Sequence, residues 1–232
     1  MTVAVVQFGG SNCDRDAVAA LSHLGADAEL VWHDDGLADG AGVDTPAALD
    51  GIVLPGGFSY GDYLRAGAIA ARAPILEEVQ TAVDAGVPTL GVCNGAQVGA
   101  ESGLIPGAFT TNASARFQCE HVHLRVERAD TPWTNAYEPG AVIEVPIAHA
   151  EGRFVADDTT ADRLDADGRV LFRYCEPDGA VTDAANPNGS RDNVAGVLGE
   201  TDNVAVMMPH PERASLPDIG GTDGQGVLRA FA

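Results

Sequence analysis

Two short segments of this chain carry residue types that can do chemistry together. Thr89-Leu90-Gly91-Val92-Cys93-Asn94-Gly95-Ala96-Gln97 reads as a short apolar strand that ends on a cysteine and turns into a helix. Such a turn presents a thiol above the carboxyl edge of a parallel sheet, where the first N–H groups of the helix favour a thiolate. Gly-x-Cys-x-Gly is the cysteine counterpart of the serine nucleophile elbow, in which small neighbours let a strained turn close. The same spacing also suits an inert buried cysteine. Far downstream, Met207-Met208-Pro209-His210-Pro211-Glu212 follows another apolar run. Alternate residues of an extended segment point the same way, and the two prolines stiffen this one. Glu212 can then accept from one imidazole nitrogen of His210 and leave the other for the thiol. Cys, His and Glu are the parts a nucleophilic-cysteine amide hydrolase needs. Leu54-Pro55-Gly56-Gly57 adds a turn whose N–H, with that of Asn94, could hold an oxyanion, although Pro-Gly-Gly alone is also an ordinary turn.

These residues need a sheet to converge. Val3 to Phe8, Ala28 to Trp32, Ile52 to Leu54 and the run into Cys93 read as strands, the first a continuous apolar segment of the kind buried on both faces. Between them, Ser11-Asn12 offers a cap for a helix that runs to Leu24 and stops near Gly25, and a second helix is expected from about Ala68 to Ala85. Alternating strands and helices with short links predict a mostly parallel central sheet with helices on both faces. The strand ending at Pro55 should then lie beside the one ending at Cys93. The second half changes character. Gln118 to Glu127, Ala141 to Ile147, Val170 to Tyr174, Val194 to Leu198 and Val204 to Met208 are short strands separated by turns, as in an antiparallel extension of the same sheet. A last helix is expected near Gly226 to Phe231. With no linker or repeat, residues 1–232 read as one α/β domain.

Composition narrows the partners. There are 34 acidic residues against 13 basic ones, giving a net charge of −21, and every basic residue is Arg. That field repels nucleic acid and anionic membranes. Scattered Asp, small residues and missing Lys suggest a surface kept hydrated in concentrated salt. Cys13, Cys93, Cys119 and Cys175 form no CxxC pair and no zinc spacing, so the three other than Cys93 read as small core or loop residues. Met1 to Val6 lacks a basic n-region and no apolar run reaches membrane length, so a soluble cytoplasmic protein without a signal peptide is expected. Asn112-Ala113-Ser114 and Asn188-Gly189-Ser190 match glycosylation sequons, read here as chance matches, the second as a tight turn.

The three reactive segments, in this order, resemble the class I (triad) glutamine amidotransferases. The stretch Pro55-Gly56-Gly57-Phe58-Ser59-Tyr60-Gly61-Asp62-Tyr63-Leu64-Arg65-Ala66-Gly67-Ala68-Ile69-Ala70 looks like the glutaminase subunits of phosphoribosylformylglycinamidine synthase. So do Gly9-Gly10-Ser11-Asn12-Cys13-Asp14, Gly91 to Gly95, Gly196-Val197 and Met207 to Arg213, and the match runs end to end. The resemblance implies a flavodoxin-like fold in which Cys93 attacks the side-chain amide of L-glutamine. Gly57 and Asn94 would hold the oxyanion, His210 would serve as acid and base, and Glu212 would orient it. Gln97 would help bind the amino-acid end. Ala148 to Phe154, with His149, resembles the family's substrate-side loop, with Ala150 and Arg153 standing where Gly and Asn are expected. Tyr60, Asp62, Tyr63 and Arg65 would face a partner, whereas His121 and His123 read as strand-surface residues. The resemblance further implies a large synthetase subunit, which uses ATP and magnesium, and a small third subunit. This chain itself would bind neither cofactor nor metal, and it contains no P-loop.

Other readings stay open at this stage. A glutaminase of guanylate or anthranilate synthesis would keep Cys93, His210 and Glu212 but lack the Phe58 to Ala70 stretch. A cysteine peptidase or γ-glutamyl hydrolase is disfavoured by the order of the residues and the prolines around His210. A non-catalytic binding protein would have no use for all three.

Overall fold

A computed structural model describes all 232 residues. The chain begins β1 (Thr2–Gln7), α1 (Asp14–His23), β2 (Asp27–Trp32), α2 (Leu37–Ala41), β3 (Gly51–Leu54) and α3 (Ile75–Asp84). It continues β4 (Thr89–Val92), α4 (Asn94–Ser102), β5 (Ala108–Thr110), β6 (Gln118–Val126), β7 (Val142–His149), β8 (Arg153–Val155) and α5 (Asp158–Ala166). It closes with β9 (Val170–Cys175), β10 (Val194–Leu198), β11 (Val204–Met207) and α6 (Gln225–Leu228). Nine strands form one sheet in the order β2-β1-β3-β4-β11-β10-β9-β6-β7, and β5 pairs with β8 in a small second sheet. From β2 to β11 neighbours run parallel; from β11 to β7 they run antiparallel.

Burial explains the parallel half. Every residue of β3, β4 and β11 is buried. Successive side chains of a strand point to opposite faces, so both faces of the sheet are covered there. The antiparallel β7 alternates buried with more open positions, as a strand with one wetter face should. His121 is exposed and His123 half-buried on β6, the surface positions expected of them.

Two helices start later than their sequence pattern predicts. α1 begins at Asp14, with Cys13 rather than Ser11 or Asn12 in the capping position. Ser11 is drawn away into a bridge with Gly57. The helix expected from Ala68 shrinks to a short 3-10 turn, Ala70–Arg72, followed by α3 from Ile75. Pro74 is the reason: its ring disfavours helical geometry at Ala73 and can sit only at the start of the next helix. The final helix is likewise a short α turn followed by a 3-10 turn over Arg229–Phe231.

Candidate active site

Three adjacent strand ends build the site. β3 lies beside β4 with Leu54 opposite Gly91, and β4 lies beside β11 with Val92 opposite Met207. The chain leaves these three ends as Pro55-Gly56-Gly57, as Cys93, and as Met208-Pro209-His210, so the residues converge on one edge.

Cys93 sits at φ 50°, ψ −105°, directly before α4. A β-carbon-bearing residue in that region is strained by about 1–3 kcal/mol, which persists where the surroundings over-determine it. The surroundings do so here. Cys93 N donates to Met207 O at 2.8 Å, and Gly95 passes so close to β3 that a Cβ on it would lie 1.8 Å from Leu54 O. The thiol is buried, and its hydrogen points to Ala148 O at 3.7 Å. The N–H groups of Gly57 and Asn94 make no turn or loop hydrogen bond, which leaves them for a ligand.

His210 and Glu212 are almost fully buried, and His210 Nδ1 donates to Glu212 Oε1 at 2.6 Å. His210 Nε2 is buried without a partner. Burial alone would push the imidazole's pKa down, but the charge of Glu212 and the neighbouring Cys93 and Cys13 thiols hold it well above the ordinary range. A buried pair of this kind is an oriented acid and base with one nitrogen left for the reacting groups.

The remaining expected residues lie around this core in different ways. Asn94 accepts from Ser59 N at 3.1 Å, and its amide donates to Gln97 Oε1 at 2.9 Å and to Asp62 Oδ1 at 3.3 Å. Gln97 in turn donates to Glu151 O at 2.8 Å, tying α4 to the loop after β7. Burial and the nearby Glu151 charge push the Asp62 carboxyl up to about 6. His149 is buried with both ring nitrogens engaged: Nδ1 donates to Asn112 Oδ1 at 3.2 Å, and Nε2 accepts from Asn188 Nδ2 at 3.4 Å. These partners fix a neutral tautomer, and burial, together with the charge of His210, lowers its pKa to about 4. His149 therefore anchors the loop whose Ala148 and Glu151 carbonyls meet Cys93 and Gln97. Both sequon asparagines are its buried partners, a use their sequence gives no hint of. Cys13 is the other residue that sequence reading passed over: it is buried beside His210, not a remote core filler. Cys175 is buried and Cys119 exposed.

Around the mouth, Phe58, Tyr63, Leu64 and Phe117 are exposed, Leu64 at 94%, and Phe58 stacks on Phe117 with ring centroids 6.4 Å apart. Tyr60, Asp62 and Leu64 all take positive φ. Tyr63 and Arg65 face outward, whereas Asp62 bonds to Asn94 and the Tyr60 hydroxyl lies 3.0 Å from His33 Nε2.

Comparison with known proteins agrees with this geometry. The family model of the CobB/CobQ-like glutamine amidotransferase domain matches residues 1–218. Phosphoribosylformylglycinamidine synthase subunit PurQ of Halobacterium salinarum is 69% identical over 232 residues, all of both chains. The subunit of the same name from Methanosarcina acetivorans is 49% identical, over all of this chain and 97% of that one. Among solved structures, that of PurLQS from Thermotoga maritima has a matching chain with a TM-score of 0.84 at 45% identity, covering 99% of this chain and 96% of that one.

Proposed function

Because the chain belongs to the family of phosphoribosylformylglycinamidine synthase PurQ subunits, built on a CobB/CobQ-like glutamine amidotransferase domain, we propose that its strand-end cluster is a glutaminase site feeding ammonia to a synthetase. Cys93 Sγ gives its proton to His210 Nε2 and attacks the side-chain amide carbon of glutamine, and the oxyanion takes the free N–H groups of Gly57 and Asn94. The C–N bond breaks as His210 gives a proton to the leaving ammonia. The γ-glutamyl thioester left on Cys93 is then opened by water, whose proton passes to His210, and glutamate departs. Glu212 holds the imidazole in the required tautomer throughout. The observation that carries this reading is the buried 2.6 Å contact between His210 and Glu212, with Nε2 left unpaired beside a strained cysteine. Gln97 and His149 enter it as residues that shape the glutamine pocket, through Glu151 and the Asn112–His149–Asn188 cluster. Residues 1–232 are read as one domain, supported by a single core cluster that runs from Val3 to Phe231.

The partner reading rests on the rim. Four exposed apolar side chains around the mouth are out of keeping with a surface carrying a net charge of −21, and such patches mark docking sites. The expected occupant is a large synthetase subunit that converts formylglycinamide ribonucleotide to formylglycinamidine ribonucleotide, with a small third subunit. ATP and magnesium belong to the synthetase in this scheme. A cytoplasmic location is part of it, and no helix is long and apolar enough to cross a membrane. The test is an assay in high salt containing glutamine, ATP, formylglycinamide ribonucleotide and the synthetase subunits, with and without this chain. Glutamine-dependent product should require the chain. Product from ammonia but none from glutamine plus this chain overturns the assignment.

A further inference from the structure

The reaction above makes no use of Cys13, yet its thiol lies against the acid/base pair. Cys13 is 2% exposed. Its sulfur, a ring nitrogen of His210 and a carboxylate oxygen of Glu212 all lie within 4.8 Å of one another. Sulfur and ring meet over Gly56, where a Cβ would stand 2.9 Å from Cys13 Sγ and 2.8 Å from His210 Cε1. Any side chain at residue 56 would push them apart.

The surroundings of the sulfur are ordered. Its hydrogen goes to Asn12 Oδ1 at 3.1 Å, which leaves the lone pairs for other donors. Arg213 Nη2 donates to the sulfur at 3.2 Å, and Arg213 Nε is held by Asp16 Oδ2 at 3.0 Å. The backbone of the same residue reaches the other half of the site, since Cys13 N donates to Gly56 O at 3.2 Å, one residue before Gly57. A soft metal ion would find suitable donors in Cys13, His210 and Glu212. However, the guanidinium already supplies the positive charge there, and one Glu212 oxygen is committed to Nδ1.

We infer that Cys13 is a positioning residue for the glutaminase reaction: its sulfur braces the His210 ring on the Glu212 axis, and its backbone N–H fixes the Gly56 peptide that sets the Gly57 oxyanion donor. This rests on the glutaminase reading. It assigns the head of α1 a part in the reaction, since Cys13 and its Asp16–Arg213 anchor register two strand ends against each other. The sulfur lone pairs also favour the positively charged ring. The other groups facing the ring are Glu212 and Arg213 on its own turn, Cys93 at the head of α4 and His149 on β7.

The test uses the full complex in high salt, with glutamine-dependent and ammonia-dependent synthesis measured side by side. Cys13→Ala should lower glutamine-dependent kcat about tenfold, below the roughly hundredfold cost of a 1 Å misplacement, with little change in KM for glutamine. Losing the lone pairs makes the imidazolium easier to deprotonate, so the alkaline limb of the kcat profile should move to lower pH. Cys13→Ser keeps an acceptor and should restore most of the rate and the limb. Cys13→Val keeps the bulk without the acceptor, should behave kinetically like alanine, and covers the case in which the alanine variant does not fold. Ammonia-dependent synthesis should be unchanged in all three. Variants that lose thermal stability but keep the wild-type kcat and pH limb overturn the inference. A wild-type complex unable to use glutamine at all overturns the glutaminase reading instead.

Discussion

The parallel and antiparallel halves of the sheet divide the work differently. The parallel half, β2 to β11, carries the groups proposed to react: Gly57, Cys93 and His210 each follow a strand whose residues are all buried. The antiparallel half carries none of the groups to which the proposed reaction gives a bond or a proton. Its contribution is the loop after β7, held by the Asn112–His149–Asn188 cluster, whose carbonyls meet Cys93 and Gln97. Rigid strand ends give precision where bonds are made, while a hydrogen-bonded loop gives shape where substrate is held. Substitutions in the first region should therefore abolish chemistry in a folded protein, and substitutions in the second should act first on stability and pocket shape.

The sharpest break of this division is Cys93→Ala. Glutamine-dependent synthesis by the complex should be lost entirely while ammonia-dependent synthesis continues, because the proposed reaction uses the thiol as its nucleophile and not as a structural element. Measurable glutamine use by that variant would remove Cys93 from its role. Glu212→Gln comes next. The amide oxygen can still accept from Nδ1–H, but the side chain loses the charge that stabilises the imidazolium and can turn its NH2 toward the ring instead. In a triad the corresponding change costs about 10⁴-fold in kcat. Steady-state kinetics on the complex should show a loss of that order with KM nearly unchanged. A loss of less than about tenfold would mean that the 2.6 Å contact does not orient the reacting form.

How much of this was legible in the sequence follows the same division. Cys93, His210 and Glu212 could be read because each lies within a few residues of an apolar strand with proline or glycine punctuation. That β3 lies beside β4 followed from the logic of a doubly wound sheet. β11, expected within the antiparallel extension, instead runs parallel to β4 and is antiparallel only to β10, because nothing in its short apolar run says which neighbour it takes. The short paired strands β5 and β8 were not legible, since three residues carry no periodicity. α2 and α5 were missed for a related reason, being five residues long in one case and strongly polar in the other. The contact of Cys13 with Arg213 spans 200 residues, and the partners of His149 come from two distant turns. Local pattern is silent about such pairings.

The second region is sharpened by the titration of His149. Its unfolded value is about 6.5 and its folded value about 4, so the unfolded chain binds the proton first as pH falls. The stability it contributes is complete above about pH 6.5 and is lost on the way down to about pH 4, an effect of about 3 kcal/mol. Asp62 works in the opposite sense over part of this window: its carboxyl, pushed up to about 6, takes its proton first in the folded state. The informative quantity is therefore the difference between wild type and His149→Gln in urea midpoint, measured from pH 7 to pH 4. The variant should be less stable at pH 7, having lost a buried partner of Asn112 and Asn188, and should show a flatter acid limb. Parallel curves would mean that His149 is not held neutral.

The smallest effect is expected where the comparison predicts none. Cys119 lies on β6 in the antiparallel half, its backbone paired with Ala148 of β7 but its side chain exposed. An exposed residue without a cap, a buried partner or a special backbone angle changes stability by no more than about 0.5 kcal/mol on substitution. Cys119→Ser should thus match wild type in glutamine-dependent rate and in urea midpoint. The same residue offers a control on the other thiols. Brief treatment with a bulky alkylating reagent should label Cys119 ahead of the buried Cys13, Cys93 and Cys175, as read by peptide mass spectrometry. Activity should survive that first modification and fall only as Cys93 is reached. If labelling of Cys119 alone silences the chain, the antiparallel half has a direct part in the reaction, and the division between the two halves fails.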